Sequence, residues 1–162
     1  MEDIEISYMT KKDADLISKI LQLEFDDFWT PSILNNEILN PNSIYVIAKQ
    51  NNEILGFAGL WDDTYNMHIT NIAVRKSYRH KGIGDKLLKK LIEITKEKHK
   101  ETITLEVNEQ NTVAQNLYLK NGFKIMGKRK KYYNGTNDAI IMTMEVTNEE
   151  KWTKLQTIKK HM

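Results

Sequence analysis

One segment near the middle of the chain restricts the fold more than any other. A strand-like run, His68 to Val74, leads into Arg79-His80-Lys81-Gly82-Ile83-Gly84 and then into apolar residues at helical spacing. These apolar residues are Ile83, Leu87, Leu88, Leu91 and Ile92. Their spacing predicts a strongly amphipathic helix. A strand that passes through a glycine turn into such a helix is typical of an α/β fold.

Six further strands and three further helices complete the predicted architecture. The strands are expected at residues 4–8, 44–49, 54–61, 102–107, 123–127 and 139–146. The helices are expected after the capping pattern of Thr10 and Asp13, from Pro31, and from Val113 to Tyr118. Hairpins alternate with helical crossovers, so we expect a mixed, mostly antiparallel sheet of about seven strands with about four flanking helices.

The length of 162 residues fits one domain, for which about 100–200 residues are usual. We expect that domain to cover residues 1–146. The tail, residues 147–162, has a capping pattern at Thr147 to Glu150 and an apolar stripe of Trp152, Leu155 and Ile158. This pattern predicts a short C-terminal helix, which either packs on its own domain or serves a partner.

Charge and cysteine content exclude several classes of function. The chain has 24 Lys and Arg and 22 Asp and Glu, which gives a net charge of +2. Because this charge is nearly balanced, we expect no specific nucleic-acid partner. Because the chain has no cysteine, it has no disulfide, no thiolate zinc site and no cysteine acyl intermediate. The acidic N-terminus lacks a signal-peptide pattern, and no run approaches the roughly 18 apolar residues of a membrane helix. We therefore expect a soluble, cytoplasmic protein without a membrane partner.

Most enzyme motifs are missing from the sequence. The four histidines have no metal-ligand spacing, and the zinc-protease, nucleophile-elbow and Walker A patterns are absent, so we expect no metal. The dinucleotide pattern fails because Leu87 stands where its third glycine belongs. The segment from Arg79 to Gly84 remains as a candidate binding motif. Glycines and a helix start suit an anion with several phosphates, although a solvated basic turn explains this segment equally well.

Other segments favour the anion-binding interpretation. Arg79 to Gly84 match every fixed position of the pattern Q/R-x-x-G-x-G/A. The glycine segment is preceded by the strand end Asn71 to Val74. It is followed by the stretch from Asn111 to Tyr118 and then by Asn121-Gly122-Phe123. In this combination the chain resembles the GNAT superfamily of acetyl-CoA-dependent N-acetyltransferases. The resemblance covers about residues 4–146 and implies acetyl-CoA or CoA as a ligand.

Four shorter segments look like one group within that superfamily, the RimI group. They are Phe28-Trp29-Thr30, Leu105-Glu106-Val107, Arg129 with Tyr132-Tyr133, and Asp138 to Met142. Members of the group acetylate the N-terminal α-amines of proteins. The resemblance therefore implies a protein or peptide N-terminus as the acceptor, with a ribosomal protein as one candidate, and a monomer or homodimer.

The resemblance also implies site residues. Those that would bind the cofactor are Ile72, Ala73, Val74, Arg79, His80, Lys81, Gly82, Ile83, Gly84, Asp85 and Asn111. Glu106 matches the general base and Tyr118 the general acid, while Phe28, Tyr132 and Tyr133 would contact the substrate. The pattern alone favours a strand residue in a salt bridge for Glu106. It also allows a core aromatic for Tyr118, packing aromatics for Tyr132 and Tyr133, and a helix staple for Phe28.

Two other functions are compatible with the same residues. One is an acetyltransferase that uses a small amine, a polyamine or a lysine as its acceptor. The other is a non-catalytic module that binds acetyl-CoA.

Overall fold

The structure is a computed structural model that describes residues 3–25, 30–133 and 135–146. Within these ranges the strands are β1 Glu5–Tyr8, β2 Ser43–Gln50, β3 Glu53–Asp63, β4 Asn66–Val74, β5 Thr102–Asn108, β6 Lys124–Tyr133 and β7 Asn137–Glu145. The helices are α1 Lys11–Glu24, α2 Pro31–Leu39, α3 Ile83–Glu97 and α4 Thr112–Lys120, with a short 3₁₀ helix at Lys76–Tyr78. The expected α/β class is confirmed.

One seven-stranded sheet has the order β1-β2-β3-β4-β5-β7-β6. The pairs β1–β2, β2–β3, β5–β7 and β6–β7 are antiparallel. Strands β4 and β5 are parallel, with Asn66 to His68 opposite Thr102 to Thr104. The mixed, mostly antiparallel sheet is therefore confirmed, and its parallel pair follows the helical crossover through α3.

Short-range sequence signals start and end the elements as predicted. Helix α1 begins with a full capping box, in which Asp13 donates its amide to the Thr10 hydroxyl and accepts from the Thr10 amide. Pro31 occupies the first turn of α2. Asn51 and Asn52 both have positive φ angles, 53° and 64°, as a tight hairpin turn requires.

The described residues form two compact units, each with its own buried residues. The first contains residues 3–25, 30–63 and 69–91. There α1 and α2 bury Ile17, Leu21 and Leu34 with β-strand residues, and Phe25 meets Phe57 edge to face with ring centroids 5.3 Å apart. The apolar faces of the two helices thus lie against the sheet.

The second unit contains residues 64–68, 92–133 and 135–146. Strand β5 alternates in burial: Ile103, Leu105 and Val107 are buried, while the residues between them are half-buried. This alternation assigns Glu106 to the half-buried face of the strand.

Strand β6 differs most from its expected bounds, and the other strands differ by one or two residues at one or both ends. Strand β6 runs on to Tyr133 instead of ending at Gly127, and its pairing with β7 continues past irregularities after Ile125 and after Arg129. Strand β3 is longer by a residue at its start and two at its end. The tail, residues 147–162, lies outside the described residues, so its helix and the boundary at residue 146 stay predictions. No helix within the described ranges is long and apolar enough to cross a membrane.

Candidate active site

The loop between β4 and α3 has a backbone that suits an anion. His80 and Gly82 both have left-handed φ angles, 64° and 79°, and α3 begins at the next residue, Ile83. Amide groups in the first turn of a helix have no acceptor within the helix, and left-handed residues turn neighbouring amides toward one side. A Cβ atom at Gly82 would meet no described atom within 4 Å. The loop therefore leaves open space in front of its backbone.

The cationic side chains of this loop hold the loop itself. Arg79 donates its Nε to the carbonyl oxygen of Val74, at 3.2 Å, and so ties the loop to the end of β4. The ammonium of Lys81 lies over the Tyr78 ring, 5.4 Å from its centroid. Asp85, in the first turn of α3, pairs with Lys89 one turn later. The backbone amides of the loop are thus candidate donors to an anion.

A polar cluster before the loop was not predicted. Glu53 of β3 accepts from the Tyr78 hydroxyl at 2.9 Å and pairs with Arg75 at 3.5 Å. Arg75 also pairs with Glu24 at the end of α1, at 3.4 Å. The hydrogen bond to Glu53 raises the pKa of Tyr78. The cluster anchors the 3₁₀ helix that leads into the loop, and no local sequence pattern marks its partners, which are about 20 to 50 residues apart.

The end of β4 packs closely on β3. A Cβ atom at Gly56 would lie 2.6 Å from the carbonyl oxygen of Ala73, so only glycine permits this approach. Ala73 is buried, whereas Ile72 and Val74 are half-buried. These three residues follow the stretch of β4 that pairs with β5.

Glu106 forms an ion pair in the second unit. Its Oε1 lies 2.7 Å from Nη2 of Arg129, which belongs to β6. The Glu106 side chain is 28% exposed and that of Arg129 is 57% exposed. The salt bridge that the pattern alone suggested is present, and the carboxylate is still open to solvent.

Tyr118 and Asn111 belong to α4. Tyr118 is 8% exposed, and its ring meets Phe123 edge to face with centroids 5.7 Å apart. Asn111 caps the helix, because its Oδ1 accepts from the amide of Ala114 at 3.1 Å. Both side chains therefore have packing or capping roles beside the chemical roles that the resemblance implies.

The predicted substrate-contacting residues are covered only in part. Tyr132 and Tyr133 are the last residues of β6, just before the turn in which Gly135 has a φ angle of 69°, and their side chains are not described. Phe28 and its neighbour Trp29 lie outside the described residues. In the described ranges, His, Asp and Glu side chains form no group of three that could hold a metal ion.

The chain is similar over most of its length to named acetyltransferases. It is 38% identical over 120 residues to the ribosomal protein bS18-alanine N-acetyltransferase of Haemophilus influenzae, covering 70% of this chain and 80% of that protein. It is 30% identical over 138 residues to the N-alpha-acetyltransferase RimI of Mycobacterium tuberculosis, covering 82% and 85%. The crystal structure of the ribosomal-protein-S18-alanine N-acetyltransferase of Escherichia coli superposes with a TM-score of 0.82 at 28% identity, covering 90% of this chain and 95% of that one.

The family profile described as Acetyltransferase (GNAT) family matches residues 14–123, which is about two thirds of the chain. The matched stretch includes the glycine loop, Glu106 and Tyr118. The chain therefore belongs to the GNAT family of acetyl-CoA-dependent N-acetyltransferases.

Proposed function

We propose that this protein transfers the acetyl group of acetyl-CoA to the N-terminal α-amine of a protein, and that a ribosomal protein is its substrate. The observation that carries the proposal is the similarity, at 30% identity or more over most of both chains, to proteins named as a ribosomal protein bS18-alanine N-acetyltransferase and an N-alpha-acetyltransferase. This similarity favours an α-amine over the small-amine, polyamine and lysine alternatives.

The β4–α3 loop is proposed to hold the pyrophosphate. Left-handed His80 and Gly82 and the start of α3 supply amide donors, and hydrogen bonds to an ionised acceptor are strong. Because the space at Gly82 is open, phosphate oxygens can reach the backbone. The end of β4, Ile72 to Val74, would then offer backbone groups to the pantetheine arm, and Asn111 would contact the ligand from the start of α4.

Acetyl-CoA supplies an activated acetyl group as a thioester. Glu106 is proposed to accept the proton that the attacking amine loses, directly or through water. A protein α-amine has a pKa of about 7.7–8.0, so roughly a tenth of it is already neutral at pH 7 and the base has only one proton to remove. The half-exposed carboxylate of Glu106 can be reached by such an amine.

Tyr118 is proposed to give its hydroxyl proton to the departing thiolate. A tyrosine of ordinary pKa, about 10, is protonated at neutral pH and has this proton to give. Between free groups, transfer to a thiolate whose acid has a pKa near 8.5 is unfavourable by about 2 kcal/mol. Donation that accompanies cleavage of the carbon–sulfur bond avoids a free thiolate, and the tyrosinate then regains its proton from solvent.

A panel of acceptors tests the proposal. We expect release of CoA thiol with peptides that carry a free N-terminus and little release with N-blocked peptides, spermidine or free lysine. A polyamine that outperforms every peptide would contradict the α-amine acceptor. Variation of the first residue of the peptide would identify the preferred N-terminus.

Location and assembly are part of the same proposal. We infer a cytoplasmic monomer or homodimer without a specific nucleic-acid partner. Light scattering of the purified chain, with and without CoA, measures the oligomeric state directly.

A further inference from the structure

The ion pair between Glu106 and Arg129 joins two strands that are not neighbours. Strand β7 lies between β5 and β6, so the two side chains bridge two strand spacings, about 10 Å. Glu106 stands opposite Ile141 of β7, whereas Arg129 stands opposite Ala139. The guanidinium therefore crosses β7 diagonally, on the half-buried face of the sheet.

The β7 residue opposite Arg129 is small. Ala139, directly opposite Arg129, has a single side-chain carbon and is fully buried. Ile141 of β7 stands between Glu106 of β5 and Gly127 of β6, which are its two cross-strand neighbours. A Cβ atom at Gly127 would meet only Ile141, at 4.0 Å, among described atoms. Neither a positive φ angle nor crowding requires glycine at this position. Among the described residues, the sheet face at Gly127 is thus uncrowded.

The ion pair involves Oε1 of Glu106. Arg129 contacts this oxygen, and Arg129 is the one partner of this carboxylate within the described residues. Oε2 is therefore the oxygen that we take as the proton acceptor. An unpaired glutamate side chain on a strand samples several rotamers, whereas a contact at 2.7 Å selects one.

We propose that Arg129 is a positioning residue, which holds Glu106 by Oε1 so that Oε2 faces the acceptor amine. This inference rests on the proposed function, because it takes Glu106 as the general base. A base that is misplaced by about 1 Å can lose up to 100-fold in rate, so the fixed orientation has a measurable consequence. The Arg129 side chain is more than half exposed, and its removal is expected to change stability little.

The test compares Arg129→Met with Arg129→Lys and with Lys128→Met, in single turnover on a peptide acceptor. Lys128 is the matched control, since it is the adjacent exposed cation on β6 and stands opposite Ile140. We expect Arg129→Met to lower the acetylation rate about tenfold or more, with CoA affinity unchanged. Arg129→Lys should restore most of the rate, and Lys128→Met should stay within twofold of the parent. Melting temperatures verify that each variant is folded.

The variant Glu106→Gln separates this inference from the proposed function. If Arg129 acts through Glu106, Arg129→Met should cost less than about twofold once Glu106 is already Gln. If the rate losses of Arg129→Met and Glu106→Gln multiply in the double variant, the positioning role is overturned. It is also overturned if Arg129→Met stays within twofold of the parent rate while Glu106→Gln is slow. A full rate for Glu106→Gln would overturn the base assignment itself, and absence of peptide acetylation by the parent would overturn the proposed function.

Discussion

Tyr118 combines a packing role with a proposed chemical one, and these can be separated at a single atom. Phenylalanine at this position keeps the ring that meets Phe123 but removes the hydroxyl. General acids contribute about 10²–10⁴-fold to rate, so Tyr118→Phe should lower single-turnover acetylation by an amount in that range while the melting temperature changes little. Tyr65→Phe, an exposed tyrosine, is the control. A Tyr118→Phe rate within twofold of the parent would rule out proton donation by this residue.

Gly82 and Gly135 make a matched pair for the proposed phosphate loop. Both have left-handed φ angles, 79° and 69°, and a Cβ atom at either would meet no described atom within 4 Å. Valine should therefore strain both backbones alike, by about 1–2 kcal/mol. Only Gly82→Val should remove most of the rise in melting temperature that CoA produces, because a ligand that binds the folded state stabilises it by mass action. Equal CoA-induced shifts in the two variants would refute the loop as the phosphate site.

At the scale of single elements, the start of α1 depends on a buried carboxylate. Asp13 is 3% exposed. Its carboxylate accepts a hydrogen bond from the Thr10 amide and pairs with Lys49 of β2 at 2.6 Å. Burial acts to raise the pKa of Asp13, but its hydrogen bonds with Lys49 and Thr10 outweigh burial and lower it below the ordinary value. The ionised form is therefore the one that stabilises the fold.

The sign of the pH dependence follows from that lowered pKa. Asp13 contributes its full stabilisation above the pKa of an unfolded aspartate, about 3.9, and loses it as the pH falls through the lower folded value. Asp13→Asn should lower the free energy of unfolding by about 1–3 kcal/mol at pH 7, since it removes the charged partner of Lys49. Urea unfolding of the parent and the variant at pH 7 and pH 3 measures the free energy of unfolding at each pH. If that free energy differs between parent and variant as much at pH 3 as at pH 7, the charge of Asp13 is not responsible for the difference.

Local signals predicted the elements better than they predicted the site. The Thr10 capping box, Pro31 and the Asn51-Asn52 turn each act over a few residues, and the structure has all three. The length of β6 was not predictable, because its second half has lysines where an alternating strand has apolar residues. The contact of Glu106 with Arg129 depends on the register of three strands and a bulge, which no local pattern encodes.

At the scale of the whole molecule, the choice between a protein α-amine and a lysine side chain as acceptor follows from their different pKa values. A lysine side chain, with a pKa of about 10.4, is neutral roughly 300-fold less often at pH 7 than an α-amine of pKa near 7.9. A site with a single carboxylate base should therefore select the terminus, unless it strongly desolvates lysine.

The most direct measurement uses one peptide with a free N-terminus and one internal lysine. The peptide is incubated with the protein and acetyl-CoA at pH 7, and tandem mass spectrometry locates the acetyl group during the first turnovers. We expect acetylation of the terminal α-amine first, with the internal lysine unmodified at that stage. Acetylation of the lysine first, or of neither amine, would contradict an α-amine acceptor.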